Sequence, residues 1–116
     1  MRANDFRRIA LKMRDAIEGA HMNHPDFRVN GKIFATLYPD GKQGMVKLTA
    51  QQQKDFMLAH PVMFCPAAGA WGRMGCTTVR LNSIDEETLG AAMSIAWQNA
   101  VVKPAPRRAA ARKKRG

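Results

Sequence analysis

Asn30-Gly31 stands between two short runs of β-forming residues, Phe27 to Val29 and Lys32 to Tyr38. Both residues of an Asn-Gly pair accept the positive φ angles of a two-residue hairpin turn, whose twist suits the strands it joins. The two runs are therefore expected to pair antiparallel, which commits the middle of the chain to a β-sheet. The pairing also sets Arg28 and Lys32 on either side of the turn. Such a basic hairpin suits a phosphate backbone, and it is equally an ordinary edge of a small α+β domain.

The surrounding text supplies helices and further strands. Phe6, Ile9, Ala10, Met13 and Ile17 recur at helical spacing, with Arg7, Arg8, Lys12 and Asp15 on other faces and Asn4 or Asp5 as N-cap. A first amphipathic helix is expected to end near Gly19. After the hairpin, Asp40-Gly41 marks a second turn, and Met45 to Leu48 adds a third strand to form a meander. Thr49 followed by Gln52 has the capping-box pattern, so a second helix is expected through Phe56 toward His60, stopped by Pro61. The Pro- and Gly-rich stretch PVMFCPAAGAWGRMG reads as a connection, after which Cys76 to Leu81 alternates like a strand. Ser83 or Asp85 caps a third helix, with Glu86 and Glu87 at the positive end of its dipole. Its buried stripe is Leu89, Ala92, Met93, Ala96, Trp97 and Ala100.

The net charge of +10 divides unevenly along the chain. Lys103, Arg107, Arg108, Arg112, Lys113, Lys114 and Arg115 bring seven positive charges and no acid, whereas the other twelve Lys and Arg face nine Asp and Glu. From Pro104 onward two prolines break helix formation and no large apolar side chain repays the ordering entropy, so residues 104–116 read as a disordered basic tail on a 1–103 domain. Such a tail attracts nucleic acid without sequence preference, because each neutralised phosphate releases counterions. A solubilising extension is the plainer alternative.

No window approaches the roughly 20 apolar residues of a membrane-spanning helix, and the N-terminus lacks a secretory apolar core, so no membrane association and a cytoplasmic location are expected. Cys65 and Cys76 form no Cys-x-x-Cys pair; reduced thiols are the default, with one bridge between them left open.

Strand alternation assigns Ile33, Ala35 and Leu37 to a helix-covered face and Lys32, Phe34, Thr36 and Tyr38 to the other. If register allows, Lys32, Lys47 and Arg80 share that open face with Phe34, Thr36, Tyr38 and Thr78. Cations interleaved with rings and hydroxyls suit nucleic acid, charge meeting phosphate and rings stacking on bases. Solvent faces of antiparallel sheets commonly carry the same residue types.

The ordered set HMNHPDFRV, GKIFATL, VKLT and AWGRMGCTTVRL, followed by a helix containing AW, resembles the MmcQ/YjbR family of small bacterial proteins from Phe6 to Lys103. The matching positions are His21, Pro25, Asp26, Phe27, Arg28, Gly31, Lys32, Phe34, Lys47, Trp71, Gly72 and Gly75; Cys76 stands where the family often has an aromatic residue. The resemblance implies an α+β fold, a twisted antiparallel β-sheet with helices packed on one side, related to frataxin-like and double-wing folds. It also implies DNA binding, by fold analogy. Gly72 and Gly75 flank Arg73 and would permit a tight wing between strands, where Trp71 either stacks on a base or plugs the loop onto the core.

Enzymatic motifs are not recognisable: no serine elbow, phosphate-cradling glycine loop or carboxylate pair is present, and Asp26 beside Arg28 reads as an ion pair. His21 and His24 have a His-x-x-His spacing but sit against Pro25, so no metal and no cofactor are expected, and His21 is read as hydrogen-bonding locally to fix the hairpin entrance. The expected function is a non-enzymatic, monomeric nucleic-acid-binding domain, chiefly DNA and largely nonspecific. Arg28, Lys32, Lys47, Arg73 and Arg80 would meet phosphates, Trp71, Tyr38 and Phe34 would stack, and the tail would add affinity. The alternative is a protein or small-ligand module whose apolar groove is lined by Trp71, Phe64 and Met74.

Overall fold

The computed structural model describes residues 1–102; the basic tail inferred from the sequence, with Arg107, Arg108, Arg112, Lys113, Lys114 and Arg115, lies outside the described residues. The elements are α1 (Ala3–Leu11), β1 (Ile17–His21), β2 (His24–Val29), β3 (Lys32–Leu37), β4 (Gln43–Lys47), α2 (Ala50–Ala59), β5 (Phe64–Pro66), α3 (Gly69–Met74), β6 (Cys76–Arg80) and α4 (Glu86–Val101). The strands form one six-stranded sheet in the order β1-β2-β3-β4-β6-β5, every neighbouring pair antiparallel. The chain is α+β, as its alternating patterns require.

The Asn30-Gly31 turn forms as expected, with φ of 52° and 78°. Met22 and Asn23 make an equivalent turn at φ 50° and 66°, and it closes a hairpin the sequence had concealed. The first helix therefore stops at Leu11, well short of Gly19, and Ile17 opens β1 opposite Arg28. Ladder pairing with β2 satisfies the β1 backbone, and that outweighs the helical spacing of a single exposed isoleucine. Asp5 lies inside α1, where its carboxylate accepts from the Arg2 amide at 2.8 Å.

Helix α2 begins with the expected capping box. Thr49 Oγ1 accepts from the Gln52 amide at 3.1 Å and Gln52 Oε1 accepts from the Thr49 amide at 2.9 Å. Thr49→Ala is expected to lower stability by about 1 kcal/mol in urea unfolding, the usual worth of a cap. Asp85 caps α4 by accepting from the Thr88 amide at 2.6 Å. The Pro- and Gly-rich connection is more structured than its composition suggests, since it contains both β5 and α3.

Helices α1 and α4 cover one face of the sheet over Phe6, Ile9, Phe27, Val29, Phe34, Leu37, Val46, Val79, Leu81, Leu89 and Met93. In α4, Leu89, Ala92, Met93 and Ala96 are buried, while Trp97 and Ala100 pack at the margin. The opposite face is left open and carries the site described below.

A β-bulge corrects the expected faces of β3. Phe27 pairs with Ala35 but Arg28 pairs with Ile33, so Phe34 is an extra residue on its strand. Such an insertion turns the residues before it to the opposite side. Phe34 is consequently 0 % exposed in the core and offers no stacking ring. Ile33 joins Thr36 and Tyr38 on the open face. Lys32, opposite the buried Val29, sits beside Ala96, Asn99 and Ala100 at the rim of the helix-covered face, away from the surface it was expected to share with Arg80.

Candidate functional site

Register across the sheet aligns the open-face side chains in rows. Ile17, Arg28 and Ile33 form one, and Lys47 pairs with Cys76 on the far side of the bulge; Gly19, Asp26, Thr36, Met45, Thr78 and Cys65 form the middle one. His21 and His24 lead a third, extended by Tyr38, Gln43 and Arg80. In these rows the acid is Asp26, against Arg28, Lys47 and Arg80. The face therefore favours an anion. Between β1 and α3 it is hollowed into a groove of about 500 Å³, with Met45, Thr36 and Ile33 among its floor residues and Tyr38, Lys47 and Trp71 among those around it.

Helix α3 forms the wall over β6. Its placement depends on a buried side chain, Gln53, whose Nε2 donates to the carbonyls of Gly72 and Cys76 at 3.0 Å each. Gly72 packs so closely on the preceding turn that a Cβ there would lie 1.9 Å from the Ala67 carbonyl oxygen. Gly75 ends the helix at φ 118°, a left-handed cap suited to glycine. These contacts present Trp71 outward, 62 % exposed, with Lys47 Nζ 5.9 Å from its ring centroid. The tryptophan does not plug the loop onto the core, and Gly72 and Gly75 serve a short helix rather than a wing. Burial pushes the Cys76 thiol up, with the Lys47 charge only partly offsetting it, so this cysteine is not an activated thiolate.

At the other end, Asp26 is fully buried beneath Arg28 and His21. Arg28 donates through Nε to Oδ1 at 2.7 Å and through Nη2 to Oδ2 at 2.9 Å. His21 Nδ1 lies 2.7 Å from Oδ2, and because a carboxylate only accepts, the ring nitrogen donates. The Arg28 hydrogen bonds hold the Asp26 carboxyl below its ordinary range against the opposing effect of burial, and His21 adds to them. His24 stacks on His21 with centroids 5.8 Å apart, and Tyr38 meets His24 edge-on at 6.2 Å. Tyr38 Oη is also 3.3 Å from Thr78 Oγ1. Among the described residues no group of three His, Cys, Asp or Glu side chains is placed to hold a metal ion.

A YjbR family model matches residues 11–99, most of the chain and every open-face strand. The chain belongs to the YjbR family. This YjbR domain is also similar to a crystal structure of the Deinococcus radiodurans protein DR2400, described as carrying a DUF419 domain. The TM-score is 0.72 at 17% identity, over 86% of this chain and 78% of that one. That likeness establishes the fold alone. No curated protein matches the chain.

The predicted phosphate and stacking residues of the YjbR domain thus separate into distinct groups. Lys47, Trp71 and Tyr38 meet around one groove. Arg73 is exposed on α3, one residue beyond the Gly72 contact. Arg80 is directed toward the turn before β5, where its Nη1 donates to the Val62 carbonyl at 2.9 Å. Arg28 is neutralised by Asp26, and Lys32 and Phe34 lie off the open face. Of the alternative apolar set, Phe64 is buried in the core while Trp71 and Met74 remain exposed. Sequence reasoning missed Gln53, and it expected a local hydrogen bond from His21 without naming Asp26 as the partner. The signal for the latter was present in the spacing of His21, Asp26 and Arg28, which only the unforeseen β1–β2 hairpin converts into adjacency.

Proposed function

We propose that this YjbR domain binds single-stranded nucleic acid across the open face of its sheet, with unpaired bases stacking on Trp71. The exposed indole, fixed above the sheet beside Lys47, is the observation that carries this reading. Stacking platforms with adjacent cations recognise unpaired bases with little sequence preference. A base paired in a duplex cannot reach such a ring. Lys47 and Arg73 flank it as phosphate contacts, and the sequence's basic run from Lys103 to Arg115 adds counterion-release affinity for any polyanion.

Fluorescence anisotropy of the full chain with a short oligothymidylate and with the corresponding duplex tests the assignment. Trp71→Ala is expected to weaken single-strand binding about 5- to 150-fold, the equivalent of the roughly 1–3 kcal/mol lost per stacked base. Duplex binding should change little. Lys47→Gln is expected to flatten the salt dependence for the single strand by about 0.7, one phosphate contact. Equal single-strand affinity in wild type and Trp71→Ala would remove the stacking site and with it the proposed function.

A further inference from the structure

We propose that His21, Asp26 and Arg28 form a phosphate subsite at the β1–β2 end of the groove, and that a strand phosphate binds there together with a proton on His21. This deepens the single-strand reading and rests on it.

Asp26 is saturated by three donors from two side chains. Its two oxygens take Arg28 Nε and Nη2 and His21 Nδ1, at 2.7, 2.9 and 2.7 Å. Arg28 and Asp26 cancel in charge, so the cluster is neutral when the imidazole is neutral and carries one positive charge when it is protonated. A structural ion pair needs only the arginine; the histidine is the addition that makes the charge variable.

Hydrogen-bond polarity then decides what the cluster can bind. Because Nδ1 keeps its proton on the acceptor-only carboxylate, the neutral ring must present Nε2 as a bare lone pair. A phosphate oxygen is also an acceptor, so it meets a mismatch. Protonation converts Nε2 into a charged donor and makes the same position favourable, while the Arg28 Nε and Nη2 donors stay committed to Asp26. Phosphate binding and proton binding are therefore linked, each strengthening the other.

The local backbone is shaped to seat this cluster. Gly19 lies opposite Asp26, and a Cβ there would come within 2.9 Å of Asp26 Oδ1 and 3.2 Å of Arg28 Nε. His21 lies on the edge strand with its side chain 40 % exposed, and it lines the groove beside Met22 and His24. The groups that face it are Asp26 and His24 from β2, with Arg28 sharing the Asp26 carboxylate and Tyr38, just past the end of β3, edge-on to His24. Lys47 and Trp71 lie farther along the groove, three strand spacings or about 14 Å across the sheet. A phosphate at His21 and a base on Trp71 thus belong to different nucleotides of one strand.

The probe is an oligothymidylate, whose phosphodiesters and bases keep their charge over the range used, titrated against the full chain at about pH 5.5 and about pH 8.5 with ionic strength held constant. Wild type is expected to lose about tenfold in affinity between the two. His21→Gln should remove most of that loss, and His21→Lys, a cation at both values, should bind equally at both. His24→Gln should retain it, and calorimetry in two buffers of different ionisation enthalpy should show proton uptake in wild type that His21→Gln lacks. A pH response equal to wild type in His21→Gln or His21→Lys would overturn the subsite. If wild type binds without pH dependence yet still depends on Trp71, the subsite falls and the stacking function stands. Failure of wild type to bind the oligonucleotide at either pH defeats both.

Discussion

Gly72→Ala is expected to release α3 from the sheet edge and to weaken single-strand binding at least as far as Trp71→Ala does, while leaving the rest of the fold in place. The added methyl would sit 1.9 Å from the Ala67 carbonyl oxygen and 2.9 Å from its carbonyl carbon. Both are backbone atoms, so no rotamer change relieves the contact, and the helix must move away from Ala67. Movement breaks the Gln53 hydrogen bond to Gly72, leaving the buried amide with the Cys76 carbonyl of β6 alone. Overpacking together with that loss costs about 3 kcal/mol. The segment between β5 and β6 can escape that cost by unhooking, because α3 contributes Gly72 and no large apolar side chain to the core. Hydrogen exchange should therefore show lost protection confined to Gly69–Met74 and the facing part of α2, with α1 and α4 unchanged. Binding should fall at least as far as in Trp71→Ala, since the indole loses its support. Retained binding together with retained protection would show that the close contact is not what positions the ring.

How much of this architecture was legible depends on whether the signal was local. The Asn30-Gly31 turn, the Thr49 capping box and the Asp85 cap are set by neighbouring residues, and each appears where the text placed it. The β1–β2 hairpin turns on Met22-Asn23, and methionine gives no warning that it will adopt positive φ. The β3 bulge is decided by pairing with β2, so no pattern within Lys32–Leu37 reveals it. That single extra residue moved Phe34 into the core and Ile33 onto the groove floor, and it parted Lys32 from Arg80, although Lys32 and Lys47 still line one hollow beside α4. Trp71 was recognisable as a candidate from its glycine neighbours, but its outward orientation follows from Gln53, eighteen residues earlier in the chain. Site residues fixed by long-range contacts were thus the ones that spacing could not assign.

Asp26→Asn is expected to destabilise the domain by about 3 kcal/mol near neutral pH and to alter the shape of its acid unfolding curve. The substitution preserves volume, so the loss reports charge and hydrogen bonding. Both carboxylate oxygens accept, whereas an asparagine replaces one of them by a donor. If the amide nitrogen replaces Oδ1 it faces Arg28 Nε, and if it replaces Oδ2 it faces Arg28 Nη2. Either orientation sets donor against donor and removes the neutralising charge from the guanidinium. Breaking a well-buried pair costs roughly 3–5 kcal/mol, but Arg28 is 35 % exposed and can recover water, which places the effect at the lower end. The sign of the pH dependence follows from the depressed carboxyl. Its stabilisation is present in full above the ionisation of the unfolded carboxylate, at about pH 4, and is lost as the pH falls through the lower folded value. Urea midpoints of wild type and Asp26→Asn should accordingly differ most above about pH 5 and draw together as the pH falls through the depressed Asp26 value. A separation that persists undiminished in acid would mean that packing, and not the ionised cluster, makes Asp26 necessary.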